Sequence, residues 1–307
     1  MSANIIDGKE VARKLREKIS RSVKEINSEH NIVPGLAVVL VGNDPASEVY
    51  VRNKGIQTKE TGMISYEYKL PESTSEDDLL DRVKLLNDDP NVNGILVQFP
   101  VPKQISQQKV IETILPSKDV DGLHPINSGY LNSGLEGLVP CTPQGAAILI
   151  KETCKDLTGK NAVIIGRSNL VGKPVTQLLL KENCTVTICH SRSQNLAEIS
   201  CQADILVAAV GIPNFVKSNW VKPGAIVIDV GINRILTEGD SEKKTHLVGD
   251  VDFENVKEIA GSITPVPGGV GPMTIACLLL NTLNAFCDQN GILRPCLLYT
   301  SPSPRDL

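Results

Sequence analysis

The segment SEVYVRNK, residues 47–54, carries a hydroxyl, a phenol and an ammonium at Ser47, Tyr50 and Lys54. At 3.6 residues per helical turn, positions i, i+3 and i+7 fall on one face, so the three side chains point the same way. A lysine set in a partly dry cleft loses some of its preference for the charged form and can then move protons near neutrality. The alternative for the same residues is a solvated helix face with a snorkelling lysine. Gln98 closes the apolar run GILVQFP, residues 94–100, and an amide in that setting needs a hydrogen-bond partner. In KDVDGL, residues 118–123, Asp119 and Asp121 precede Gly122, where aspartates commonly serve a turn.

A second group of residues suits a phosphate-bearing ligand. GRSNLVGKP, residues 166–174, follows an apolar run and opens a helical stretch. The letters depart from GxGxxG because Ser168 replaces the second glycine, and Pro174 excludes a magnesium-binding phosphate loop. Backbone N–H groups and a positive helix end would still face an anion here; otherwise the segment is a plain strand-to-helix turn. At the end of the next strand, where an NAD site carries Asp or Glu for the ribose, stands His190-Ser191-Arg192-Ser193. With no carboxylate there, Arg167, Arg192 and two hydroxyls favour the 2′-phosphate of NADP. PGGVGP, residues 267–272, lets the backbone approach a flat ligand or serves as a hinge.

These groups need a frame, and the apolar periodicity supplies one. Val11, Leu15, Ile19, Val23 and Ile26 mark an amphipathic helix over 8–29. Runs at 35–42, 65–70 and 93–100 read as strands separated by helices to about Glu60, over 75–89 and over 106–115, with Asp44-Pro45 as cap and first-turn proline. The stretch from Pro116 to Pro143 reads as a linker or functional loop. After a helix over 144–155, runs at 161–166, 184–189, 204–211 and 225–231 read as four more strands, with a helix after Gly172. Strand, glycine turn, helix, strand opens a dinucleotide-binding fold. Residues 233–247 read as a polar surface excursion, and an apolar helix follows residue 274. The fold class is α/β in two domains: 1–143 joined by the helix 273–290, and a Rossmann-type domain over 144–272. The tail 293–307 has no amphipathic period and reads as a non-native extension.

Composition narrows the functions. Lys and Arg number 31 against 35 Asp and Glu, a net charge of −4, which argues against nucleic acid as a partner. Hydrophobic residues at 41% and charged residues at 21% suit a globular chain, and only 3% aromatics leaves the core to aliphatic side chains. No membrane span and no signal peptide are expected. The eight scattered cysteines read as free thiols in a reducing cytoplasm. No metal-ligand spacing or serine-hydrolase elbow is present in the sequence.

YVRNK, GILVQFP, KDVDGL, GRSNLVGKP and TPVPGGVGPMT occur in a fixed order. Together they resemble the bifunctional methylenetetrahydrofolate dehydrogenase/cyclohydrolase family, the FolD-type enzymes, over about residues 3–290. The resemblance implies Lys54 as the central catalytic residue, Tyr50 against the pterin, Gln98 holding Lys54, and Asp121 on the amino-pyrimidine edge. It implies a substrate site that also includes Val97, Phe99, Pro267, Gly268, Gly269, Val270 and Gly271. NADP would meet Gly166, Arg167, Ser168, Ser191 and Ile232; Arg192 is added on charge alone. The implied reaction is NADP-dependent oxidation of 5,10-methylenetetrahydrofolate to the methenyl form, then hydrolysis to 10-formyltetrahydrofolate, both in one cleft. A cytoplasmic homodimer supplying purine biosynthesis is implied as well. The competing readings are a dehydrogenase of another substrate class, and a non-catalytic NADP-binding protein that would have no use for Tyr50, Lys54, Gln98 and Asp121.

Overall fold

The computed structural model of the chain describes residues 2–236 and 245–298. Residues 237–244 of the expected surface excursion and 299–307 of the expected extension lie outside the described residues. The chain clusters into two compact units, one made of Arg13–Cys141 with the chain from Ile275, the other of Thr142–Thr274 with the chain up to Ala12.

The Arg13–Cys141 unit is built on β2 (Gly35–Val41), flanked by β3 (Ile64–Leu70) and β4 (Gly94–Val97), all parallel. All seven residues of β2 are buried, as expected of a central parallel strand covered on both faces. Ala37, Val39 and Val41 pack with Leu79, Val83 and Leu86 of α3 (Glu76–Asp88) and with Ile95, Val97 and Val110. Ser75 caps α3 by accepting from the Asp78 N–H, and Glu76, Asp77 and Asp78 occupy its positive first turn. The remaining helices are α1 (Gly8–His30), α2 (Pro45–Glu60), α4 (Gln107–Thr113), α5 (Pro125–Asn132) and α10 (Val270–Gln289). Ala12, Leu15, Ile19, Val23 and Ile26 form the buried stripe of α1.

The second unit carries a six-stranded parallel sheet in the order β1-β11-β8-β7-β5-β6. Its strands are β1 (Asn4–Ile5), β5 (Asn161–Ile165), β6 (Thr185–Cys189), β7 (Ile205–Ala208), β8 (Ile226–Asp229) and β11 (Ser262–Ile263). The chain leaves β5 toward β6 on one side and later returns to β7 on the other, which puts a topological switch point at the C-terminal end of β5. Its helices are α6 (Cys141–Thr153), α7 (Gly172–Lys181), α8 (Leu196–Ser200) and α9 (Phe253–Val256), with a 3-10 turn at Ser218–Trp220. The antiparallel pair β9 (Asn233–Leu236) and β10 (Thr245–Val248) occupies both ends of the expected excursion. The fold is α/β throughout.

Several expectations change. Residues 2–12 join the nucleotide-type unit, not the first domain, because Asn4 and Ile5 pair with Ser262 and Ile263 as an edge strand. The stretch 116–143 contains α5, whose start is capped by His124 Nδ1 accepting from the Ile126 N–H at 3.1 Å. By length and composition alone α10 could cross a membrane, contrary to the expected absence of such a stretch. In this fold it is a core helix, with Cys277, Leu278, Leu279, Leu283 and Phe286 buried. At the start of the suspected extension Leu293 is 93% exposed, while Arg294 forks onto Asp288.

Candidate active site

Asp44 starts α2 by accepting from the Ser47 N–H at 2.8 Å, with Pro45 in the first turn. That register turns Ser47 and Lys54 inward, both nearly fully buried, and leaves Tyr50 41% exposed at the edge of the same face. The Lys54 carbonyl accepts from the Thr58 hydroxyl at 2.7 Å, and the Lys54 ammonium donates to Gln98 Oε1 at 2.9 Å. Gln98 reaches it because its N–H bonds to the Val39 carbonyl, carrying the β2–β4 ladder one residue past the strand. Its own amide N–H₂ donates to the Phe99 carbonyl at 2.8 Å, which aims the amide oxygen at the lysine.

Asp121 is positioned by the turn around it. Lys118 donates to the carbonyls of Leu86 and Asp89 at 3.2 and 2.8 Å. Asp119 accepts from the His124 N–H at 2.8 Å and from Asn127 Nδ2 at 2.9 Å. Gly122 has φ +72°, and a Cβ there would lie 2.5 Å from backbone atoms of Val139 and Pro140. Cys141 closes the set with its thiol directed at the Val120 carbonyl at 3.2 Å.

The electrostatics follow from burial. Desolvation lowers the pKa of Lys54, while Asp121 pulls it partly back. Desolvation raises the Asp121 carboxyl, opposed by Lys54 and reinforced by Asp119. The Cys141 thiol is pushed well above its ordinary value, so it stays protonated. Burial thus moves lysine and aspartate alike toward their neutral forms, a pairing typical of proton-transfer sites.

In the other unit the glycine turn is shaped by close contact. A Cβ on Gly166, at φ +126°, would lie 2.2 Å from the Ala209 carbonyl oxygen, and one on Gly172 would lie 2.0 Å from that of Gly166. No side chain caps α7; the Lys173 N–H donates to the Ser168 carbonyl at 3.1 Å and Pro174 has no N–H, which leaves the Gly172 N–H of the first turn for a ligand. A cavity of about 300 Å³ at this point is lined by Gly166, Arg167, Ser168, His190, Ser191 and Ile212, among others. The cradle that a Cβ would fill and the exposed Arg167 suit a nucleotide with phosphates.

The family model for the tetrahydrofolate dehydrogenase/cyclohydrolase catalytic domain matches residues 6–121, and that for its NAD(P)-binding domain matches residues 140–290. A bifunctional protein FolD from Parvibaculum lavamentivorans is 64% identical over 295 residues, 96% of this chain and 99% of that one. The chain belongs to the tetrahydrofolate dehydrogenase/cyclohydrolase family. The bifunctional FolD of Campylobacter jejuni has a TM-score of 0.88 at 46% identity, covering 94% of this chain and 100% of its own. A Trypanosoma brucei FolD, solved with NADP cofactor and an inhibitor, has a TM-score of 0.89 at 34% identity over 94% of this chain and 99% of its own.

Within this FolD-type chain the sequence-derived residues are placed unequally. Lys54 and Gln98 are in contact, and Asp121 acts on Lys54 electrostatically. Val97 lies in the core at 2% exposure, paired with Val39, and so offers no surface to a ligand, contrary to the expectation, while Phe99 is half-buried. Arg167, Ser168 and Ser191 line the nucleotide cavity. Arg192 is exposed and is not among the lining residues; its N–H donates to His190 Nδ1 at 3.1 Å. Ile232 is half exposed, and its tip would meet a Cβ on Gly271 at 3.8 Å. Gly268, Gly269 and Val270 are buried while Pro267 is exposed. A Cβ on Gly269 would sit 2.6 Å from the Pro265 carbonyl oxygen, so that glycine serves the fold of the turn first.

Sequence reasoning missed Cys141 and Asn281. Asn281, buried in α10, donates to the Val120 and Val139 carbonyls at 2.9 and 2.7 Å and holds the Asp121 turn from behind. An asparagine inside the apolar run IACLLLNTLNAF was the available signal, since a buried amide must have partners.

Proposed function

We infer that this protein oxidises 5,10-methylenetetrahydrofolate with NADP and hydrolyses the methenyl product to 10-formyltetrahydrofolate. The observation that carries the hydrolytic half is the buried Lys54 ammonium held by Gln98 and balanced against Asp121. Bound NADP⁺ supplies the acceptor for the hydride that leaves the methylene carbon. Orientation of the folate is then the main task of the first step, with Tyr50 lying along the pterin and Asp121 accepting from its amino-pyrimidine edge. In the second step water adds to the methenyl carbon. Lys54, whose pKa burial lowers, acts in its neutral amine form: it takes a proton from that water as the C–O bond forms and returns it to the ring nitrogen as that nitrogen's bond to the carbon breaks. One water is consumed and one proton released overall. Gln98 keeps the amine in register through the exchange.

Arg167, Ser168 and Ser191 hold the phosphates, with Arg192 at the rim adding positive charge for the 2′-phosphate. Pro267–Gly271 is assigned to the folate and nicotinamide on the family resemblance. The same resemblance supports a cytoplasmic homodimer whose formyl product is drawn on by purine biosynthesis, and the acidic balance of the chain agrees with small-molecule work away from nucleic acid and membrane. The test is a purified-enzyme assay with methylenetetrahydrofolate and either NADP⁺ or NAD⁺. NADPH must form in preference to NADH, and 10-formyltetrahydrofolate must be the end product. NADP binding without folate turnover would favour a non-catalytic role.

A further inference from the structure

Two buried carboxylates at the C-terminal edge of the six-stranded sheet take no part in the chemistry above. Asp229 ends β8 and Asp250 follows β10, at 3% and 0% exposure. Asp229 accepts from the N–H groups of Gly231 at 3.0 Å, Asp250 at 2.8 Å and Val251 at 2.9 Å. Its own N–H donates to the Thr264 hydroxyl at 2.8 Å. Asp250 accepts from the N–H groups of Val210 and Gly211 at 2.6 and 2.9 Å, and from Asn233 Nδ2 at 2.9 Å. Two glycines make room for them. A Cβ on Gly249 would lie 1.8 Å from Asp229 Oδ2, and one on Gly231 would lie 2.1 Å from Asp250 Oδ1.

Of the residues held this way, Val210, Gly211 and Gly231 lie in the loops after β7 and β8, and Asn233 opens β9. Val210 and Gly211 follow β7, and Val210 lines the nucleotide cavity beside Ile212. Gly231 and Asn233 bracket Ile232, so the two carboxylates together fix both sides of that residue. Burying two carboxylates side by side is costly: desolvation, with Asp250 adding to it, pushes the Asp229 carboxyl up to about 7 against the pull of its backbone donors. Charge-assisted bonds to backbone N–H groups are among the stronger ones, and here they are spent on the loops that rim the cavity.

We propose that Asp229 and Asp250 are positioning residues for the dinucleotide, a linked carboxylate pair that fixes the loops after β7 and β8 around NADP. This rests on the NADP reading of the cavity. Asp250→Ala removes both carboxylate oxygens, so the N–H groups of Val210 and Gly211 and the Asn233 amide lose their acceptor and the 210–212 loop is released. Loss of such buried charge-assisted bonds should weaken NADP binding by about tenfold or more. NADP affinity is measured on the full chain by calorimetry, and cyclohydrolase turnover is measured with methenyltetrahydrofolate and no nucleotide. The expected result is a weakened NADP affinity with cyclohydrolase kcat within about twofold of wild type. Asn233→Ala, which removes one contact only, should show the same split at about two- to fivefold, and it serves if the first variant does not fold. An unchanged NADP affinity in both variants, or a parallel fall in affinity and cyclohydrolase turnover, would overturn the proposal. A wild-type protein that binds NADP but turns over no folate would count against the assigned reaction and leave the pair standing.

Discussion

Replacing Lys54 by methionine removes a buried ammonium while keeping side-chain length, and the surroundings of Lys54 set the expected result. A positioned proton-transfer group is worth about 10²–10⁴-fold, so methenyltetrahydrofolate hydrolysis should fall by that factor. Stability should move the other way. The folded-state pKa of Lys54 is lowered, chiefly by desolvation, so the folded chain binds fewer protons than the unfolded one. Wild-type stability then rises with pH between the lowered pKa and the ordinary lysine value of 10.5, and below that window Lys54 is a net cost. Each unit of depression corresponds to about 1.4 kcal/mol. Against the relief stands Gln98 Oε1, which loses its donor at about 1 kcal/mol, softened because Gln98 is half-exposed and water can replace the amine. Lys54→Met should therefore unfold at a higher Tm than wild type at pH 7, an advantage that shrinks as the pH approaches 10. The assays are loss of methenyl absorbance and thermal unfolding at pH 7 and 9.5. Hydrolysis at the wild-type rate, or a variant less stable than wild type at pH 7 by the same margin as at pH 9.5, would refute the reasoning.

Three other substitutions test separate parts. Gly166→Ala forces a Cβ to 2.2 Å from the Ala209 carbonyl oxygen at a strained φ, and should abolish measurable NADP binding while lowering Tm, read by calorimetry and thermal unfolding. Arg167→Ala should raise the KM for NADP⁺ by about tenfold and that for NAD⁺ by a smaller factor, since NAD⁺ carries less phosphate charge, seen in parallel dehydrogenase assays. Asn281→Ala withdraws the donor from the Val120 and Val139 carbonyls and should destabilise by about 2 kcal/mol in urea, with cyclohydrolase kcat falling because the Asp121 turn loosens.

The central elements were legible because their signals are local. The apolar runs of β2, β4, β5, β7 and β8, the Asp44-Pro45 start of α2 and the i, i+7 spacing of Ser47 and Lys54 need only nearest neighbours to read. Short edge strands carry no such signal. β1 and β11 have two residues each and exist through pairing between positions far apart in the chain. α5 hid in a Gly- and Asn-rich stretch, where His124 as cap and buried Asn127 as tether replace an apolar stripe. The role of Gln98 was partly readable, since an amide at the end of an apolar strand needs a partner, but that the partner is Lys54 is a fact of tertiary structure. Asp119 and Asp121 look alike in KDVDGL. Only the fold separates the one consumed by His124 and Asn127 from the one coupled to Lys54. The Asp229–Asp250 pair is invisible in sequence because its members come together only when β8 and the segment after β10 meet.

The most direct measurement is single-turnover oxidation of methylenetetrahydrofolate by the wild-type enzyme with NADP⁺, following NADPH and methenyl absorbance together and identifying the folate product. The account predicts NADPH equal to the folate consumed, methenyl absorbance that stays low or rises and decays, and 10-formyltetrahydrofolate at the end. NADPH formation with stable, stoichiometric methenyltetrahydrofolate, or no NADPH at all, would contradict it.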